Sequence, residues 1–239
     1  MSSKIISLWS GPRNVSTALM YSFAQRADMQ VVDEPLYAHY LQYTGIVHPG
    51  NAEILEAMET DGEKVMQQLF GEEYEKPLVF LKQMAKHLVG LKQEWLLEGE
   101  NIFLIRDPKA VITSFAKVTT PTFDEVGIKQ QYDLYQYLLG QGKTPIVLDG
   151  REILRNPKAI LQQVCERLNI PFDENMLEWQ TGVIPEDGVW AKYWYKNVHA
   201  SSGFQPYKAS REVIPIEYES LWKECKPYYD FLYNCALKA

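Results

Sequence analysis

The sequence predicts an α/β fold with a doubly wound, three-layer parallel sheet, because short apolar runs alternate with helical patterns along most of its 239 residues. Runs that are apolar throughout are typical of strands buried on both faces, and parallel strands need crossover connections such as helices. Ligands of such sheets bind beyond the carboxyl ends of the strands. We therefore expect the functional residues to follow the strands directly.

The predicted elements follow from apolar periodicity and from the turn residues between them. The strands cover residues 5–9, 29–32, 78–81, 101–106 and 145–149. The helices between them cover about 16–26, 52–70, 84–92, 108–117, 123–140 and 157–169, and a closing helix covers 215–237. Because no repeat or long linker interrupts the pattern, we predict a single domain over residues 1–239.

Residues 187–211, called the lid segment below, break this alternation. They read DGVWAKYWYKNVHASSGFQPYKASR, rich in aromatic residues, Ser and Gly and without clear periodicity. Such a stretch either packs its aromatic side chains against the sheet or covers a binding site. Both interpretations stay open, and we describe residues 185–239 as a lid segment followed by a closing helix.

Composition and charge are those of an ordinary globular protein, with 46% hydrophobic and 23% charged residues. A net charge of −7 argues against a nucleic-acid or anionic-membrane binder but leaves room for one basic pocket. We recognise no signal peptide and no apolar run of membrane-spanning length. The three cysteines match no disulfide or metal pattern. We expect a cytoplasmic protein with a small-molecule partner and no metal, and oligomeric state stays open.

The first predicted strand ends in SGPRNVST, residues 10–17, and a helical pattern follows at once. Backbone N–H groups at such a helix start form an anion site, to which Arg13 adds a positive charge. The Gly-Lys pair of ATP and GTP loops and the GxGxxG pattern of dinucleotide sites are both absent. Sulfuryl transfer suits this loop, because the moving group carries less charge than a phosphoryl group and one Arg can stabilise the bridging oxygen.

PRNVST resembles the 5′-phosphosulfate loop of sulfotransferases that use 3′-phosphoadenosine 5′-phosphosulfate (PAPS), usually PKSGTT or PRSGTT. Asn14 and Val15 depart from the Ser-Gly of that pattern. The resemblance implies a fold of the P-loop nucleotide-binding type, PAPS as cofactor and its desulfated form, PAP, as product. It implies a catalytic role for Arg13 and a cofactor-binding role for Gly11, Pro12, Arg13, Asn14, Val15, Ser16 and Thr17.

A second motif, RDPKAVITSF, follows the strand at 101–106 and holds Arg106 and Ser114 eight residues apart. Pro108 favours a helix start, so two helical turns can bring guanidinium and hydroxyl to one phosphate. The 3′-phosphate motif of the same family has this Arg, spacing and Ser. The alternative is a surface ion pair of Arg106 with Asp107 or Glu100. Residues 148–172 also resemble family scaffolding, and the resemblance covers about residues 4–175.

The acceptor must lose a proton, so a general base should lie near the loop. Glu34 follows the second strand, 21 residues after Arg13, and sulfotransferases with a glutamate base have similar spacing. Alternatively, Glu34 or Asp33 only pairs with Arg13. His87 is the alternative catalytic base. When the family's Lys-Thr-His pattern is aligned with this sequence, Lys82 matches the Lys but Met84 stands at the position of the His. Lys82 either steadies the donor sulfate or is simply solvated.

Ser201, Ser202 and Gly203 are expected to close over the 3′-phosphate and adenine, although the family's Arg-Lys-Gly motif is absent there. The sequence therefore predicts metal-independent, in-line sulfuryl transfer from PAPS to an acceptor hydroxyl or amine of unknown identity. The alternatives are a non-catalytic protein that binds PAP or another phosphate ligand, and a divergent P-loop small-molecule kinase.

Overall fold

All five predicted strands are present and form one parallel sheet within the described residues. The structure, a computed structural model, describes residues 3–117, 120–208 and 213–239. The strands are β1 (Lys4–Ser10), β2 (Met29–Asp33), β3 (Leu78–Met84), β4 (Glu100–Ile105) and β5 (Ile146–Asp149). Their order is β2-β3-β1-β4-β5, and every neighbouring pair is parallel. The predicted α/β class is confirmed.

Helices connect the strands and cover both faces of the sheet. They are α1 (Ser16–Ala24), α2 (Tyr37–Thr44), α3 (Asn51–Ala57), α4 (Gly62–Gly71), α5 (Pro108–Phe115), α6 (Phe123–Val126), α7 (Ile128–Gly140), α8 (Gly150–Arg155), α9 (Pro157–Arg167), α10 (Ala191–Trp194), α11 (Lys196–His199) and α12 (Glu219–Cys235). Single 3-10 turns cover Ala85–Leu88, Gln93–Glu98, Glu174–Leu177 and Ile216–Tyr218. Among the described residues, no helix combines the length and apolarity that a bilayer crossing requires.

Three predicted helices differ from those observed. The helix at 52–70 is two helices, because the Asp61 side chain accepts hydrogen bonds from two backbone N–H groups and starts α4. The helix at 123–140 divides at Gly127, whose φ of 74° is left-handed. The helix predicted at 84–92 is wrong, since β3 continues to Met84 and only a 3-10 turn follows.

Alternate side chains of each strand enter two separate cores. Ile6 and Leu8 of β1 pack in the layer that contains α1 and α9, whereas Ile5 and Trp9 pack in the layer that contains α4, α7 and α12. Both layers exclude water, which explains why the strands are apolar without alternation.

The carboxyl ends of the strands lie side by side and position the site. Ser10 at the end of β1 pairs with Met84 of β3 and with Leu104 of β4. Asp33 at the end of β2 pairs with Lys82 of β3. Segments that follow four different strands therefore meet at one edge of the sheet.

Candidate functional site

The loop between β1 and α1 is held tightly to its neighbours. The Asn14 amide donates to the Leu104 carbonyl over 3.1 Å and its oxygen accepts from the Val15 N–H over 2.9 Å. Gly11 lies against α6, because an added Cβ would stand 3.0 Å from the Val126 carbonyl oxygen. Arg13 has a φ of 55°, in the left-handed region. No side chain of the described residues caps α1, so its positive dipole end faces the loop.

The two predicted anion motifs are joined directly. Arg106 donates from Nη1 to the Arg13 carbonyl oxygen, and Arg13 donates from Nε to the Ser114 hydroxyl over 3.0 Å. Asp107 caps α5 by accepting from the Lys109 N–H over 2.9 Å, which fixes the helix that carries Ser114. No ion pair between Arg106 and Asp107 or Glu100 occurs within the described ranges.

Burial and the neighbouring charge of Arg13 both lower the pKa of Arg106. Two guanidinium groups held together in this way repel each other, and an anion between them relieves the repulsion. The arrangement therefore favours the binding of a phosphate or sulfate group that contacts both guanidinium groups.

Two cavities flank this pair of arginines. The lid-side cavity, of about 280 Å³, is lined by seven of the predicted binding residues: Arg13, Asn14, Val15, Thr17, Arg106, Ser201 and Gly203. The α5-side cavity, of about 200 Å³, shares Asn14, Val15 and Arg106 with it and adds the basic side chains of Lys109, Arg151 and Lys208. The predicted loop, the Arg106 motif and the lid segment thus meet around one basic region.

The other five predicted binding residues line neither cavity. Ser114 is among them and reaches the site through its hydrogen bond with Arg13. Gly11 and Pro12 face Gly127 at the end of α6, and Ser16 is buried at the start of α1. Ser202 accepts a hydrogen bond from the Trp179 N–H through its backbone carbonyl over 3.1 Å.

Glu34 follows β2 directly and points into a buried group of charges. Its φ of 37° is left-handed, and its N–H donates to the Lys82 carbonyl over 2.8 Å. Lys82 Nζ donates to Glu34 Oε1 over 2.5 Å, and 12% of the Glu34 side chain is exposed. Within the described chain, Oε2 has no hydrogen-bond partner, so it is available to another group.

Asp33, Glu34, Lys82 and Tyr195 form what we call the buried charge cluster. Lys82 Nζ also donates to Asp33 Oδ1 over 2.8 Å and to the Tyr195 hydroxyl over 2.5 Å. The Tyr195 hydroxyl in turn lies 2.9 and 2.8 Å from the two Asp33 oxygens. The predictions for Lys82, either solvated or on the donor sulfate, do not match this environment. Among the described residues, Arg13 pairs with neither Asp33 nor Glu34.

The cluster contains two carboxylates and one ammonium group. The excess of negative charge affects the pKa values of Glu34 and Lys82. Burial raises the pKa of Glu34, and the Asp33 charge adds to this effect against the opposing attraction of Lys82. Burial acts to lower the pKa of Lys82, but Asp33 and Glu34 outweigh it and hold that pKa well above the usual value. Glu34 is therefore a stronger base than an exposed glutamate, although it lies beside Lys82, which stays positively charged.

His87 occupies a different environment, in the 3-10 turn after β3. It is 1% exposed and stacks between Tyr37 and Tyr40 at ring-centroid distances of 5.1 and 4.7 Å. Its Nδ1 has no partner among the described residues, and burial holds its pKa well below the usual value. Because it lines neither arginine-flanking cavity, His87 has the surroundings of a packed core imidazole.

The described part of the lid segment, residues 187–208, contributes both to the core and to the lid-side cavity. Trp190 and Tyr195 are buried, and Ser201 and Gly203 line the cavity. The Gly188 N–H donates to Asp33 Oδ2 over 3.2 Å. Asp187 accepts from the Tyr21 hydroxyl over 2.7 Å and lies 2.9 Å from His199 Nε2. Residues 209–211 of the predicted segment lie outside the described residues.

Sequence reasoning missed Tyr195 as a member of the site. A lysine and a glutamine within the otherwise apolar strand LVFLKQM were the available signal for a buried charge. The segment that carries Tyr195 has no periodicity, so no sequence pattern indicated which of its aromatic residues would reach Lys82.

A third cavity, the α6-side cavity, is lined by residues of α2, α6, α7 and the turn after β3 and shares no lining residue with the other two. Its volume is about 730 Å³, and Tyr40, Lys86, Asp124 and Glu125 are among the residues that line it. Glu34 does not line this cavity, but the charge of Lys86 acts to lower the pKa of Glu34. In the described ranges, no group of three or more His, Cys, Asp or Glu side chains is arranged to hold a metal ion.

The five-stranded parallel sheet, with its arginine-bearing loop between β1 and α1, defines an α/β protein. The model of the sulfotransferase domain family matches residues 3–236, and the chain belongs to this family. The sulfotransferase domain from the curacin biosynthetic pathway has a similar fold, with a TM-score of 0.54, 17% identity and coverage of 97% of this chain and 98% of that one. A sulfotransferase from Alicyclobacillus acidocaldarius has a TM-score of 0.56 at 14% identity, with coverage of 98% and 96%.

A curated relative is closer in sequence. The branched-chain-amino-acid aminotransferase-like protein 2 of Arabidopsis thaliana is 41% identical over 236 residues, which are 98% of this chain and 42% of the relative. The chain thus spans about two fifths of the length of this relative.

Proposed function

We propose that the protein transfers a sulfuryl group from PAPS to the hydroxyl or amine of a small acceptor. The observation that carries the proposal is the connected unit of Arg106, Arg13 and Ser114 at the start of α1, with the free oxygen of Glu34 at the same edge of the sheet. One unit that joins two anion motifs suits a donor with anionic groups at both its 5′ and 3′ positions.

The basic cavities fit such a donor. The α1 N-terminus and Arg13 would hold the 5′-phosphosulfate, and Arg106 with Ser114 would hold the 3′-phosphate. Lys109, Arg151 and Lys208 line the adjoining α5-side cavity and add positive charge. Phe204 lines the lid-side cavity, where its ring can contact a base.

Glu34 and Arg13 would supply the chemistry. PAPS supplies the activated sulfuryl group. Glu34 takes the proton of the acceptor as the new S–O or S–N bond forms. Arg13 stabilises the negative charge that develops on the bridging phosphate oxygen as its bond to sulfur breaks. The products are the sulfated acceptor, PAP and the proton held on Glu34, which solvent then removes.

We infer that the acceptor enters through the α6-side cavity. This cavity is separate from the arginine-flanking cavities, it is the largest of the three, and Lys86 connects it electrostatically with Glu34. In-line transfer needs donor and acceptor on opposite sides of the sulfur atom, and two cavities without a shared lining residue are compatible with separate donor and acceptor sites.

A turnover assay with PAPS and panels of alcohols, phenols, glycans and amines tests the proposal. We expect PAP to be released with at least one acceptor class, without added metal and in the presence of a chelator. Arg13→Ala should slow this release by about 10²–10³-fold, whereas Arg167→Ala, on the exposed end of α9, should leave it unchanged. Turnover of ATP with Mg²⁺ in place of PAPS would instead establish the kinase alternative.

A further inference from the structure

We propose that Tyr195 is a positioning residue that links the lid-side cavity to Glu34 through Asp33 and Lys82. The inference rests on the proposed role of Glu34 as the base. In this proposal the lid segment covers the donor and also contributes Tyr195 to the buried charge cluster in which Glu34 accepts its proton.

The geometry of Tyr195 supports this link. Its ring lines the lid-side cavity together with Trp194 and Val198, while its hydroxyl lies inside the buried charge cluster. Trp190 Nε1 donates to the same hydroxyl over 3.0 Å and holds it in place. Among the described residues that line this cavity, Tyr195 alone bonds to Asp33 or Lys82.

The hydroxyl of Tyr195 affects how strongly the Lys82 ammonium group interacts with each of the two carboxylates, Asp33 and Glu34. Asp33 accepts from the Tyr195 hydroxyl and from the Gly188 N–H, both on the lid segment, and also from Lys82. With these donors present, part of the Asp33 charge is neutralised without Lys82. Lys82 can then remain close to Glu34 Oε1 and fix the direction of the free oxygen.

Loss of the hydroxyl would change this balance in a defined direction. The Lys82 ammonium group would then interact more strongly with the negative charge of Asp33. Its attraction to the Glu34 carboxylate would become weaker. Glu34 would then bind a proton more tightly. Among the described residues, the other charged or titratable groups that act on this cluster are Lys86 and Tyr37 on Glu34, Tyr37 and His87 on Lys82, and Tyr21 on Asp33. None of them is altered by the change.

Tyr195→Phe tests the proposal because it removes the hydroxyl and keeps the ring that lines the cavity. Tyr193→Phe is the matched control, since Tyr193 lies two residues before Tyr195, on α10, and is 44% exposed. We expect the acid limb of kcat/KM against pH to move upward by about one pH unit in Tyr195→Phe, as the loss of one hydrogen bond to a charged group implies. PAP affinity, measured by calorimetry, should change less than about twofold.

A second measurement separates this proposal from the proposed function. Carbon-13 NMR of the Glu34 carboxyl, assigned with Glu34→Gln, reports its titration without any turnover. An upward shift in Tyr195→Phe but not in Tyr193→Phe supports the link, even if no acceptor reacts. An unchanged titration overturns it. Parallel losses of PAP affinity and thermal stability with an unchanged titration show a purely structural residue, which also overturns it.

Discussion

Arg13 donates its Nε hydrogen to the Ser114 hydroxyl over 3.0 Å, across 101 residues of sequence. This contact joins the loop after β1 to the helix after β4. A ligand that binds Arg13 therefore also changes the hydrogen bonding of Ser114. The two predicted anion motifs act as one unit, and changes in either should affect donor binding.

Arg13→Ala should lower kcat by about 10²–10³-fold, because the lost guanidinium stabilises charge that develops during transfer. Its melting temperature should stay close to that of the wild type, since the side chain is exposed. Steady-state kinetics with saturating PAPS measures the effect. A large increase in KM for PAPS with an unchanged kcat would place Arg13 in binding rather than in catalysis.

Ser114→Ala should weaken PAP binding by about tenfold or more, because a hydrogen bond to a charged group is lost. Binding of ADP, which has no 3′-phosphate, should stay the same. Calorimetry with both nucleotides checks this difference. Equal losses for PAP and ADP would contradict the 3′-phosphate assignment of Ser114 and Arg106.

Glu34→Gln should reduce kcat by about 10²–10⁴-fold while PAP binding is retained, because the amide cannot accept the proton of the acceptor. His87→Phe keeps a ring between Tyr37 and Tyr40 and should leave kcat nearly unchanged. The two variants are compared in one turnover assay. If His87→Phe loses activity and Glu34→Gln does not, the base is His87.

Lys82→Met should destabilise the fold by about 3–5 kcal/mol, because Asp33 and Glu34 would remain buried without their cation. The pKa of Glu34, already raised by burial, would lose the opposing effect of Lys82, so Glu34 would hold a proton more tightly in the folded state than in the unfolded state. Stability that comes from such raised pKa values is present at low pH and is lost as pH rises. Urea unfolding of Lys82→Met should therefore show higher stability at pH 5 than at pH 8, whereas greater stability at pH 8 would refute the buried charge cluster.

Thr44→Trp should raise the KM for the acceptor by about tenfold, because a bulky ring in the α6-side cavity opposes binding by roughly 1–3 kcal/mol. Thr44 lines this cavity and is exposed, so the fold should tolerate the change. Thr44→Ser is the control. A higher KM for PAPS instead would mean that the cavity binds the donor.

The sequence predicted the five strands, and it predicted that the residues of the two proposed anion motifs follow β1 and β4, for physical reasons that concern local patterns. Strands buried on both faces have to be apolar, and Arg106 and Ser114 lie close because one strand end and two helical turns fix their spacing. The predicted position of Glu34 at the sheet edge follows from the same rule.

The parts that failed depend on contacts distant in sequence. Residues 84–92 have helical composition, but β3 continues because it pairs with β1 as far as Met84. The contact of Tyr195 with Lys82 spans 113 residues and depends on how the lid segment lies on the sheet. Local periodicity contains no information about either contact.

The left-handed backbone at Arg13 has an evolutionary consequence. A residue with a Cβ loses roughly 1–2 kcal/mol in this conformation, whereas glycine adopts it freely. Random mutation toward Arg13→Gly would thus be favoured by selection for stability alone. At Arg13, the stability of the loop and the proposed catalytic charge therefore place opposite demands on one residue.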